Sequence, residues 1–185
     1  FILILERVPP GSSVWKTDLL NGQIDPNVAS VLGTTLAQWH NFGEENENAR
    51  TQFMEDSLFE QLRIDPFYRF VSAKNEKLKP LIDSLISELE SDKTTIVHGD
   101  FSPKNVLAGP SGTWVLDFEV THQGAPVFDL AFMCAHLIIK SIHLEEQKDL
   151  LLATITNFLA SYKEQRGEVP ANLGHHVGII TAVRV

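Results

Sequence analysis

The sequence predicts an α+β protein with a mostly helical body. Three observations carry that expectation. Apolar residues recur at helical spacing through 26–41, 78–90 and most of 126–183. Strand-forming runs are short and sit chiefly between Thr94 and Leu116. The 185 residues, 43% hydrophobic and 21% charged, fit one globular domain with a substantial core.

Taken in order, Phe1–Leu5 is an apolar run that reads as a short buried strand, and Pro9-Pro10-Gly11 ends regular structure. Asp25 is placed to cap a helix that carries Pro26 in its first turn. Val28, Val31, Leu32, Leu36 and Trp39 then repeat at helical spacing, giving a helix over 26–41. The segment "NFGEENENAR" reads as a polar break, and 51–73 as helical pieces interrupted at Asp65-Pro66. Leu78, Leu81, Ile82, Leu85, Ile86 and Leu89 form a stripe that predicts a helix to about Glu90. Thr94–Val97 is rich in β-formers, and Val106–Ala108 pairs with Thr113–Leu116 around the turn Gly109-Pro110-Ser111-Gly112. Helices over about 126–142, 145–163 and 171–183 complete the chain.

Composition narrows the function. A net charge of −9 argues against nucleic acid or an anionic membrane as the main partner. Cys134 is the one cysteine, so no internal disulfide forms, and its apolar surroundings suit a buried, inert thiol. Phe1–Leu5 is followed at once by Glu6 and Arg7, which is not the pattern of a signal peptide. Val127–Ile139 is interrupted by Asp129 and His136 and falls short of the ~20 apolar residues that cross a bilayer. A cytoplasmic protein is expected. The absence of an initiating Met, the strand-like start and the apolar end "VGIITAVRV" suggest part of a longer chain.

The hairpin concentrates the chemistry. With Ala108 facing Thr113 and Val106 facing Val115, Asn105 faces Leu116, and Asp117 lies one step beyond. Asp100 sits just upstream, in the loop after Val97. An amide oxygen and carboxylates without Cys or a close His pair suit Mg²⁺ rather than Zn²⁺. Mg²⁺ takes few protein ligands when phosphates supply the rest, and a carboxylate off the metal can accept a proton from a hydroxyl. Phosphoryl transfer is the chemistry suggested.

"HGDFSPKN" followed by "VLDFE" and "GAPVFDLA" resembles the catalytic and metal-binding segments of the aminoglycoside phosphotransferase family. That family shares the protein-kinase-like fold with choline, homoserine and fructosamine kinases. The resemblance implies an ATP- and Mg²⁺-dependent small-molecule kinase acting on a hydroxyl of an aminoglycoside-like compound, amino alcohol or sugar. It implies Asp100 as catalytic base, Asn105 and Asp117 as Mg²⁺ ligands, and His98 and Asp129 as braces of the loop. It places the hinge that holds adenine near Glu6 to Val8, so residues 1–11 would be the last small-lobe strand and hinge, and 12–185 the large lobe with a helical substrate-binding insertion. The rest of the N-terminal lobe, with its Gly-rich loop and lysine, would precede Phe1, and residues 1–185 alone would then be inactive. Glu119 stands where protein kinases carry the glycine of D-F-G, which argues against regulated protein phosphorylation. Lys104 is out of register with the phosphate-binding lysine of Ser/Thr protein kinases.

Two other functions compete with this one: a pseudokinase that binds nucleotide without turnover, and a metal-dependent hydrolase built on His98 and Asp100. Several residues also have plain structural readings. His175-His176 point about 100° apart on a helix and suit surface or core roles. Trp39 and Trp114 suit the core. Glu44, Glu45, Glu47, Glu55 and Asp56 suit a solvated face more than a site for a polycation.

Overall fold

Why the helices pack as they do follows from one crossing. The computed structural model describes residues 7–184. Helix α2 (Pro26–Glu45) starts where Asp25 accepts a hydrogen bond from the Asn27 amide, with Pro26 at its first position, as the sequence predicts. Its buried face is not the aliphatic stripe alone. Ala29, Gly33 and Ala37 are buried beside Leu32, Leu36 and His40, whereas Val31 is exposed. Helix α8 (Lys148–Arg166) lies across these small residues. A Cβ on Gly33 would fall 2.2 Å from the Phe158 carbonyl oxygen, so the two backbones touch where no side chain fits.

The polar break expected at 41–50 is not a break. Helix α2 continues to Glu45, because Gly43 lets it settle against β2 (Thr95–Val97), and α3 (Glu47–Arg50) follows after one residue. The interruption expected at Asp65-Pro66 is also absent. Helix α4 (Ser57–Phe59), a π-helical stretch over Glu60–Arg69 and α5 (Phe70–Lys74) run on continuously. Pro66 cannot donate to an α-helical ladder and would crowd the carbonyl four residues back, and the wider π turn accommodates it. The expected interruption is therefore a change of helical winding. Helix α6 (Lys79–Ser91) buries Ile82, Leu85, Ile86 and Leu89, with Leu81 exposed.

Two small antiparallel sheets frame the site. The first has the order β1 (Ser13–Val14), β3 (Val106–Gly109), β4 (Gly112–Val115), with Val106 opposite Val115 and Ala108 opposite Thr113 as expected. Gly109 and Gly112 themselves pair, so the turn proper is Pro110-Ser111. The second joins β2 to β5 (His122–Gly124), a strand the sequence does not announce. Helix α1 (Trp15–Leu20) is likewise unannounced, and it buries Trp15 and Leu19. Helices α7 (Pro126–His143) and α9 (Leu173–Ala182) pack on each other, and α7 also packs on α8.

Among the described residues α7 is long and apolar enough to cross a membrane, yet 72% of it is buried inside the protein, as befits a central core helix. Cys134 lies on α7 with its thiol pushed up to about 12 by burial, so it is inert. His176 is a core residue that bonds the Tyr68 hydroxyl at 2.7 Å, while His175 is exposed. The strand expected at Phe1–Leu5 lies outside the described residues.

Candidate active site

The loop after β2 is tied from below by one carboxylate. Asp129, in the first turn of α7, accepts from the backbone amides of His98 at 2.7 Å and Gly99 at 2.9 Å. Gly99 has φ +74°, and a Cβ there would lie 2.6 Å from the Val120 carbonyl oxygen, so only glycine makes this bend. Asp129 is fully buried. Burial alone pushes its carboxyl up, but the hydrogen bonds from His40 and from the His98 amide outweigh it and hold the carboxyl below its ordinary range. His40, on α2, is 3.3 Å from Asp129 through Nε2 and 2.9 Å from the Tyr162 hydroxyl through Nδ1. Burial pushes His40 below its ordinary value, so a neutral imidazole links α7, α2 and α8 to the loop.

His98 bonds to two segments of the site. Its Nε2 donates to the Leu116 carbonyl at 3.0 Å and its Nδ1 accepts from the Asp100 amide at 3.2 Å, one neutral tautomer serving both. It thus spans the Asp100 loop and the segment that leads into Asp117. Trp39, only half-buried, lies with Phe118 against this histidine, their rings 5.9 and 5.1 Å from it.

Asp100 is 2% exposed and held from three sides. Arg63 approaches Oδ1 at 3.0 Å, while Lys104 at 2.7 Å and the Asn105 amide at 2.9 Å meet Oδ2. A carboxylate offers about four lone-pair directions. Three are used, and the fourth, on Oδ1, remains for a hydroxyl. Arg63 also donates to the Gly99 carbonyl at 2.7 Å, and its side chain is only 11% exposed, against 50% for Lys104. The arginine is the fixed partner and the lysine the adjustable one. Burial is the largest influence on the Arg63 guanidinium and lowers it from its ordinary value, with Asp100 opposing.

Asn105 gives its amide nitrogen to both the carbonyl and the carboxylate of Asp100, at 3.0 and 2.9 Å, which commits the nitrogen and leaves the oxygen as the free acceptor. Its carbonyl accepts from the Leu116 amide at 2.8 Å, extending the hairpin one pair beyond the strands. Asp117 follows with φ +68°, the sole non-glycine residue with positive φ among the described residues. Its carboxylate is exposed. One amide oxygen and one carboxylate are hard donors that fit a Mg²⁺ ion sharing phosphate oxygens and waters. They do not form a protein cage, and no group of three His, Cys, Asp or Glu side chains among the described residues does so either. Val8 is half-buried in an irregular stretch before Pro9, and Glu6 lies outside the described residues.

Three participants escape a reading of the sequence. Arg63 has no local signal, since only the tertiary fold carries the π-helical stretch to the loop. Lys104 is set aside by register but sits on Asp100. His40 had a signal: it continues the Leu32–Leu36 spacing on an otherwise apolar face. Beside Asp100 opens a cavity of about 390 Å³, bordered by Lys16, Arg63, Lys104, Lys140 and Arg184. Asn105 and Asp117 do not border it.

Curated relatives include methylthioribose kinases of Bacillus cereus strains B4264 and G9842 and of Bacillus mycoides KBAB4, each 25% identical over 172 residues. The match covers 76% of this chain and 42% of each relative, so the chain spans under half the length of those proteins. The model of the phosphotransferase enzyme family matches residues 2–164. Spanning the Asp100 loop, the hairpin and Asp129, that match establishes that the chain belongs to the phosphotransferase enzyme family.

Proposed function

We propose that the protein is the large-lobe part of a small-molecule kinase that moves the γ-phosphoryl group of ATP to an acceptor hydroxyl. The observation that carries this reading is the division of labour around Asp100. Asp100 borders the cavity, whereas Asn105, bonded to it, and Asp117 do not.

ATP with Mg²⁺ would supply the phosphoryl group and the charge neutralisation that its transfer needs. The chain's own residues do the positioning. Asn105 and Asp117 would hold the metal, and the backbone near Glu6 to Val8 would meet the adenine. Asp100 receives the acceptor hydroxyl at its one unused lone pair, orients it, and takes its proton as the new bond to phosphorus forms and the bond from the γ-phosphorus to the ADP oxygen breaks. Arg63 and Asn105 stop the carboxylate from rotating away, and His98 with Asp129 fixes the backbone beneath it.

The test is ADP release by the full-length protein with Mg²⁺ATP and a panel of hydroxyl compounds. Turnover that requires both acceptor and Mg²⁺, and that is lost in Asp100→Asn, is expected. Nucleotide binding without acceptor-dependent ADP release from any compound would overturn the kinase reading.

A further inference from the structure

The cavity at Asp100 has a charge opposite to that of the chain. The protein carries a net −9, yet this cavity is bordered by Lys16, Arg63, Lys104, Lys140 and Arg184, with Asp100 as its one carboxylate. That carboxylate is already shared by Arg63 and Lys104. Lys16, Lys140 and Arg184 enter no ion pair among the described residues. Lys140 is 5% exposed, and its ammonium makes one contact, to the His136 carbonyl at 3.4 Å. Burial, with Lys16 and Arg184 adding to it, pulls that lysine down to about 8. The Nε2 of His136, also on the cavity wall, is buried with no hydrogen-bond partner. Buried cations are ordinarily paired, and buried polar atoms bonded. A wall with so much unanswered positive character is built for something brought from outside.

Geometry gives the spacing. The Arg63 guanidinium stands 5.2 Å over the Phe132 ring at the Asp100 end. Lys140 reaches back to the His136 carbonyl, four residues and so about 6 Å further along α7. A small molecule can therefore place a hydroxyl on Asp100 and a negative group on Lys140 at once.

We propose that the acceptor is an anionic hydroxyl compound, a phosphate ester or carboxylate, whose charged end is held by Lys140 and Lys16 while its hydroxyl meets Asp100. The assignment of Asp100 as the hydroxyl's partner rests on the kinase reading; the anion site itself does not. A polycationic acceptor is disfavoured by the same wall.

The test separates binding from turnover. Calorimetry on the full-length protein compares ribose, ribose 5-phosphate and ribonate, the last two distinguishing a phosphate from a carboxylate. At least one anionic compound should bind at least tenfold tighter than ribose. Lys140→Met should weaken that binding by about 10–100-fold, the range for a hydrogen bond to a charged group. Lys16→Met, at an exposed position where folding is not at risk, should weaken it in the same direction without changing the affinity for Mg²⁺ATP. Equal binding of all three compounds, or wild-type anion binding in both variants, overturns the proposal. Anion binding without ADP release would instead sink the kinase reading alone, and turnover of neutral acceptors with no anion preference would sink this one alone.

Discussion

Asp100 draws two cations of unequal weight, and the difference is measurable. Arg63 is nearly buried and also satisfies the Gly99 carbonyl, so Arg63→Met leaves two buried groups unanswered and should cost about 2–3 kcal/mol. Lys104 is half exposed, and Lys104→Met should stay within about 1 kcal/mol. Urea unfolding distinguishes them; equal losses would mean that Arg63 is not the fixed partner. In the full-length protein Asp100→Asn should lower turnover by about 10²–10⁴-fold, the usual contribution of a general base. Asp117→Ala should weaken Mg²⁺-nucleotide binding, measured by calorimetry with a non-hydrolysable ATP analogue, and unchanged affinity would remove Asp117 from the proposed metal site. Asp100, Asn105 and Asp117 were legible from the sequence because a hairpin converts spacing into position, and the Asn105–Leu116 pairing bears that register out. Arg63 was not, since its place is set by a helix that arrives from 37 positions earlier in the chain.

At the level of elements, the α2–α8 crossing decides how far the helical body can shift. Gly33→Ala would put a methyl group 2.2 Å from the Phe158 carbonyl oxygen, and flexible side chains cannot relieve a clash with backbone. Overpacking of this kind costs about 1–3 kcal/mol, and each kcal/mol lowers the melting temperature of a chain this long by about 2–4 °C. A thermal melt indistinguishable from wild type would show that the helices can separate freely. Apolar spacing found α2 but misjudged its inner face, because the close contact is made by Ala29, Gly33 and Ala37 and leaves Val31 in solvent. Strand β5 went unread for a related reason. His122-Gln123-Gly124 has no strand-forming run, and β2 supplies the hydrogen-bonding edge that makes it one. The helix ends read well wherever a cap decides them, as at Asp25, and poorly wherever packing does, as at Gly43.

For the whole molecule, buried histidines set the response to acid. His136 is pulled down to about 3 and His176 to about 4, and His40 and His122 are also lowered, with burial the largest cause in each. An unfolded chain protonates these rings near pH 6.5 while the native one does not, so the unfolded state binds more protons and stability falls as pH drops below about 6.5. Each such ring removes about 1.4 kcal/mol per pH unit until its native value is reached. The urea midpoint should fall clearly between pH 7 and pH 5, and less steeply in His176→Gln; a midpoint that is flat over this range contradicts the assignment. The Asp129 carboxylate, held low in the native state, adds to the loss at more acidic pH. The same carboxylate has a consequence for motion. Because it grips the His98 and Gly99 amides from inside the core, those two hydrogens should exchange with deuterated solvent as slowly as the helix interiors, which is unusual for a loop. The Asp100 loop is thus part of the rigid frame, and the exposed, left-handed turn at Asp117 is the freer of the two segments.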